Sequence, residues 1–148
     1  MMMDVIVNIK DTCTALTATW GWVGWLIFGL MLCMGLDYLT GSAAALRTGK
    51  WSSSAARDGI WHKVGTIAIV SVCYIMDGIL RVVAASGSLP MDYTVFFGPM
   101  VTVWCLLTEV GSIVENAGKL GAPIPPWLAK AVEAIKDQVD GYDMPSKD

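Results

Sequence analysis

Three long apolar stretches each carry one acidic residue: Asp37, Asp77 and Glu109. A carboxylate in hydrocarbon costs at least about 2.5–3.5 kcal/mol on insertion scales. A helix that merely faces lipid has no reason to carry one. Such groups face a partner helix, a water-filled cavity or a pore. The chain is therefore expected to be an all-α integral membrane protein whose helices assemble, with about three transmembrane helices, a C-terminal amphipathic helix, and a homo-oligomeric state.

The spans follow from length and flanks. The first runs from about Thr19 to Leu46, long enough to cross a core of about 30 Å. Trp20, Trp22 and Trp25 crowd its start, as aromatic residues do at a membrane interface. The second covers Val64 to Ala85. The third covers Tyr93 to Val114, with Pro99 near its start as a tolerated kink. Residues 1–18 form an amphipathic lead ahead of a membrane domain over 19–116. Residues 117–148 hold a cytoplasmic amphipathic helix and a polar tail. Leu128, Ala131, Val132, Ile135 and Val139 recur at helical spacing there.

Between the first two spans lies a polar loop, Arg47 to Lys63, in which Ser52, Ser53 and Ser54 mark a helix start. Ser86, Gly87, Ser88 and Pro90 mark the next turn. Arg47, Lys50, Arg57 and Lys63 make the first loop basic, whereas the loop from Ser86 to Asp92 has no Lys or Arg. Basic short loops stay on the cytoplasmic side. The expected orientation has the N-terminus outside and the C-terminus in the cytoplasm. No basic region precedes the first apolar stretch, so that stretch is expected to remain as a span rather than a cleaved signal.

Composition narrows the function classes. Hydrophobic residues make up 55% and charged residues 16% of the chain, leaving little polar mass for a catalytic domain. A net charge of -3 with no dense basic patch speaks against nucleic acid. Cys13, Cys33, Cys73 and Cys105 lack metal-ligand spacing and read as small apolar residues. The lone His62 has no Cys or His cluster around it. No catalytic motif is visible, and no cofactor or metal is expected.

Each acid also has a plain structural reading. Asp37 can stand at a helix end near the headgroups. Asp77 can pair with Arg81, four residues on along the same face. Glu109 can lie near an interface, with Glu115 shortly after it. Together the acids favour a polar interhelical seam, with Asp77 and Glu109 the stronger candidates for a seam between subunits. Gly41 and Ala45 have the spacing that lets helices approach.

Asp37-Tyr38-Leu39-Thr40-Gly41, then Ala44, Gly49-Lys50, Ser52-Ser53, Gly59 and Lys63 form one block. Glu109-Val110-Gly111-Ser112-Ile113-Val114-Glu115-Asn116, then Gly121, Pro123, Pro125 and Leu128 form another. With Asp77 between them, this pattern over residues 36 to 136 resembles the phage holins related to the clostridial toxin-secretion holins. It departs at His62, where a second basic residue is more usual, and at Gly111, which replaces a bulkier apolar residue. The N-terminal lead is also longer than in the family's shortest members.

The resemblance implies a function. Such holins oligomerise in the bacterial cytoplasmic membrane and open lesions that release a cell-wall hydrolase or, in some relatives, a toxin. The implied partners are further copies of the chain, the lipid bilayer and, functionally, an endolysin. The alternatives are a small ion or solute transporter subunit, in which Asp77 and Glu109 bind a proton or cation, and an antiholin-like regulator.

Overall fold

The computed structural model describes the backbone of residues 2–87 and 93–140, and side chains at Thr14, over 21–87 and over 93–135. Four helices follow one another: α1 Met2–Arg47, α2 Ser53–Ala85, α3 Phe97–Lys119 and α4 Pro126–Asp140. Three segments are long and apolar enough to cross a membrane: Gly21–Arg47 within α1, Ser53–Ala85 and Phe97–Lys119. No strand occurs among the described residues.

The first helix begins well before the expected span. It bends at Gly21, whose φ of 61° and ψ of -159° lie in a region essentially reserved for glycine. The amphipathic character of the lead and the polar tail beyond Asp140 rest on side chains and residues outside those described. The turn expected around Ser88 and Pro90 is described only at its start, Ser86 and Gly87.

The basic segment turns helical at the serines, as their pattern suggests. Thr48 closes α1, and Gly49 at φ 68° follows. The Lys50 amide bonds back to the Ala45 carbonyl and the Gly49 amide to that of Leu46. These paired bonds satisfy the final carbonyls of α1. Ser52 then caps α2, its hydroxyl accepting from the Ala55 amide at 3.5 Å. Arg57, His62 and Lys63 therefore sit in the first turns of α2.

Helix α3 is the centre of the bundle. It packs along α1 and α2 and receives α4, whereas α1 and α2 barely touch each other. Leu30, Met34 and Val70 are buried at the common centre with Tyr74, Val101, Cys105 and Leu106 against them. Apolar side chains elsewhere on the spans point outward: Ile69, Val72, Ile75, Ile79 and Val82 on α2 are all exposed. In a bilayer that surface meets lipid, and such packing leaves little water-driven burial to hold the helices together. Polar contacts and close fit must supply the rest.

The third helix ends in the same way as the first. Gly121 and Ala122 bond back to the carbonyls of Gly118 and Ala117, and the Arg47 guanidinium donates to the Leu120 carbonyl. The last turn of α1 is thus tied to the last turn of α3. Helix α4 folds back so that Val132 is buried against α3 beside Gly111.

Candidate functional site

Two polar sites join the spanning helices. The first unites all three. Lys63 on α2 reaches between the other two spans, its ammonium donating to Asp37 Oδ2 at 2.9 Å and to Glu109 Oε2 at 2.6 Å. Asn116, two turns beyond Glu109 on α3, donates its Nδ2 to the other oxygen of Asp37 at 3.1 Å. The side chains are largely enclosed: relative exposure is 8% for Glu109, 16% for Lys63 and 20% for Asp37.

The close fit has a steric origin at Gly41. A methyl group there would lie 3.3 Å from Asn116 Nδ2. Gly41 therefore gives the Asn116 amide room to approach α1 and meet Asp37 one turn earlier. Thr40 points the other way for its bonds, its hydroxyl donating to the Leu36 carbonyl at 2.8 Å. Tyr38 and Ser112 line a cavity of about 300 Å³ that opens beside the junction. Glu115 lies half-buried one residue before Asn116.

The second site begins α3. A helix start exposes four amides without helical partners. Here a carboxylate of a different helix takes three of them, and the fourth position has no N–H. Asp77 on α2 accepts the amides of Phe96 and Phe97 on Oδ1, at 3.3 and 3.0 Å, and that of Gly98 on Oδ2 at 2.7 Å. The fourth position is Pro99, which has no N–H to satisfy. Met100 then makes the first regular bond, to the Phe96 carbonyl. Pro99 is thus a first-turn proline rather than a kink.

Tyr93, just outside the spans, completes the cap by donating its hydroxyl to Asp77 Oδ1 at 2.5 Å. Desolvation and then the Asp77 carboxylate push the Tyr93 hydroxyl up to about 12. It therefore stays protonated, as a donor must. Gly98 lets the ring of Tyr74 lie against the backbone, where a β-carbon would collide with it. Thr102, fully buried one turn on, donates to the Gly98 carbonyl at 2.7 Å and lies 3.3 Å from the Tyr74 hydroxyl.

Asp77 is the most buried carboxylate described, with 1% relative exposure. It lies eight residues before the end of α2, about 12 Å along the axis. So α3 starts beside the body of α2 rather than at its end, and the non-helical residues 93–96 lead into it. Irregular backbone is tolerated there only if the protein satisfies it. One carboxylate does so, and the helix dipole of α3 stabilises its charge in return.

The residues singled out from sequence are thus divided. Asp37, Lys63, Glu109 and Asn116 meet at one junction. Asp77 forms the other site alone. Arg81 is exposed on α2, and the partners of Asp77 are Tyr93 and the start of α3 instead. Sequence reasoning missed Asn116 as a donor to Asp37 and Lys63 as a bridge, although both fall in the family-like blocks. It missed Tyr93 entirely. His62 lines the cavity. Cys33, Cys73 and Cys105 are free, partly buried thiols.

The fold and its sites define a multi-pass helical membrane protein held together by charged groups inside the bundle. The chain belongs to the bacteriophage holin family, whose model matches residues 14–137. It is 31% identical over 107 residues to an uncharacterized protein of Halalkalibacterium halodurans, covering 72% of this chain and 75% of that one. It is 26% identical over 141 residues to an uncharacterized 14.9 kDa protein in the nagH 3′ region of Clostridium perfringens, covering 93% of this chain and 99% of the relative. No solved structure matches it.

Proposed function

We propose that this chain is a phage-type holin. Copies accumulate in the bacterial cytoplasmic membrane, with the N-terminus outside and the C-terminus in the cytoplasm. They assemble and open lesions through which a cell-wall hydrolase, or a toxin, leaves the cell. Membership of the holin family over most of the chain is the observation that carries this reading.

The physics of the subunit supports it. A membrane protein that must accumulate harmlessly cannot present bare charges to lipid. Here the carboxylates of Asp37, Asp77 and Glu109 are all engaged inside one chain. Yet α1 and α2 meet directly at little more than the Lys63–Asp37 pair, with a cavity between them lined in part by charged groups. A subunit that opened along this weak seam would present polar walls to its neighbours. Oligomers of opened subunits could then line an aqueous lesion, where exposed charge is no longer costly.

Purified protein reconstituted into liposomes tests the reading. Above a threshold density, vesicles are expected to release a folded protein cargo together with small dyes. Release of ions or small solutes alone, at every density, would instead favour a transporter.

A further inference from the structure

The cavity beside the junction carries a charge pattern, from one end to the other, that the holin reading does not use. It lies between α1, α2 and α3 and measures about 300 Å³. Its inner end is formed by Asp37, Lys63 and Glu109, where two carboxylates share one ammonium. That end carries a net negative charge. Its outer end is formed by Lys50 and His62, both exposed. The uninterrupted uncharged run of α2 starts at Val64, immediately after Lys63, so the cavity lies at the end of that run.

We infer that the cavity binds a phosphoethanolamine group, with its ammonium toward Asp37 and Glu109 and its phosphate toward Lys50 and His62. The charge pattern selects a zwitterion over a simple anion or cation. A primary ammonium donates three hydrogen bonds to carboxylates, whereas a trimethylated choline donates none. A phosphoglycerol group brings no positive charge to the inner end. The same group can arrive on a membrane lipid or as a soluble phosphate ester.

Native mass spectrometry of the detergent-solubilised protein tests this with phosphatidylethanolamine, phosphatidylcholine and phosphatidylglycerol of identical chains. The expected preference for the ethanolamine lipid is about tenfold, as one charge-assisted hydrogen bond provides. Glu109→Gln is expected to abolish it. Gly59→Leu is the independent variant: Gly59 lines the cavity and a β-carbon there meets nothing within 4 Å. This substitution fills the space without touching a charge, so helix content by circular dichroism stays at the wild-type value while the preference is lost. Equal binding of the three lipids, or a Gly59→Leu protein that keeps the preference, overturns the inference. Free phosphoethanolamine at millimolar concentration separates the sources: displacement of bound lipid identifies the headgroup as sufficient, and no displacement assigns the site to the lipid. None of these readouts depends on lesion formation.

Discussion

Removing the Asp77 carboxylate should loosen the start of α3 and leave its far end intact. In the native fold Asp77 takes three backbone amides and the Tyr93 hydroxyl. Asp77→Ala leaves those three amides without an acceptor in a bundle interior. Each unsatisfied group costs about 1–3 kcal/mol, for a loss on the order of 5 kcal/mol. Asp77→Asn is a finer probe. Its carbonyl oxygen can keep the Oδ1 bonds, but its NH₂ group would face the Gly98 amide, donor against donor. It also removes the charge that the helix dipole favours, an effect of up to about 2 kcal/mol in partly buried geometry. The expected order of stability is therefore wild type, then Asn, then Ala. Hydrogen exchange in nanodiscs resolves the effect by position: amides at Phe96, Phe97 and Gly98 should lose protection in Asp77→Ala, while amides around Glu109 should not. Unchanged exchange at 96–98 in the Ala variant would refute the capping argument.

Lys63→Met leaves the Asp37 and Glu109 carboxylates facing each other and should cost about 3 kcal/mol, the lower end for breaking a buried pair; adding Asp37→Asn and Glu109→Gln should recover most of it, as read by denaturant unfolding in detergent. Gly98→Ala drives a methyl group into the Tyr74 ring and should destabilise by about 1–3 kcal/mol; Tyr74→Ala in the same protein should cost less than the two changes summed, which a double-mutant cycle measures. The raised Tyr93 hydroxyl sets a pH window: its contribution to stability is complete below its ordinary value of 10.0 and is lost as pH rises through about 12. A Tyr93→Phe protein should lack that alkaline step in a thermal-unfolding series.

Much of this architecture could be read from residue patterns. The apolar runs give the three spans, and Ser52 announces the start of α2. The acids inside the spans read as candidates for a seam between subunits, and in the structure Asp37, Asp77 and Glu109 take partners within one chain. What sequence could not supply was which partners they take. Lys63 reads as a juxtamembrane cation because it closes a run of polar residues. Its carboxylates lie 26 and 46 positions away, and Asn116 lies 79 from Asp37. Only the folded bundle brings them together. Arg81 was the obvious partner for Asp77 because side-chain spacing is visible in a sequence and backbone donors are not. A faint signal was present in Pro99, since a proline in a first helical turn needs no acceptor. Had α3 been placed from Pro99 backward, its start at Phe97 would have followed, and with it the need for a cap.

The family blocks gain a physical reason from the same geometry. Asp37 and Gly41 on α1, Lys63 on α2, and Glu109 and Asn116 on α3 are separate in sequence and adjacent in space. Together they fix the relative positions of three helices that lipid alone would not hold in register.

On the holin reading, such subunits are quiet when alone and open the membrane together. The most direct measurement follows membrane potential and release of a signal-less cell-wall hydrolase in bacteria during induced synthesis of this chain. The account predicts steady potential as protein accumulates, then abrupt depolarisation with release of the hydrolase and collapse of turbidity. Sustained potential and growth at high membrane levels of the folded chain, with the hydrolase retained in the cytoplasm, would contradict it.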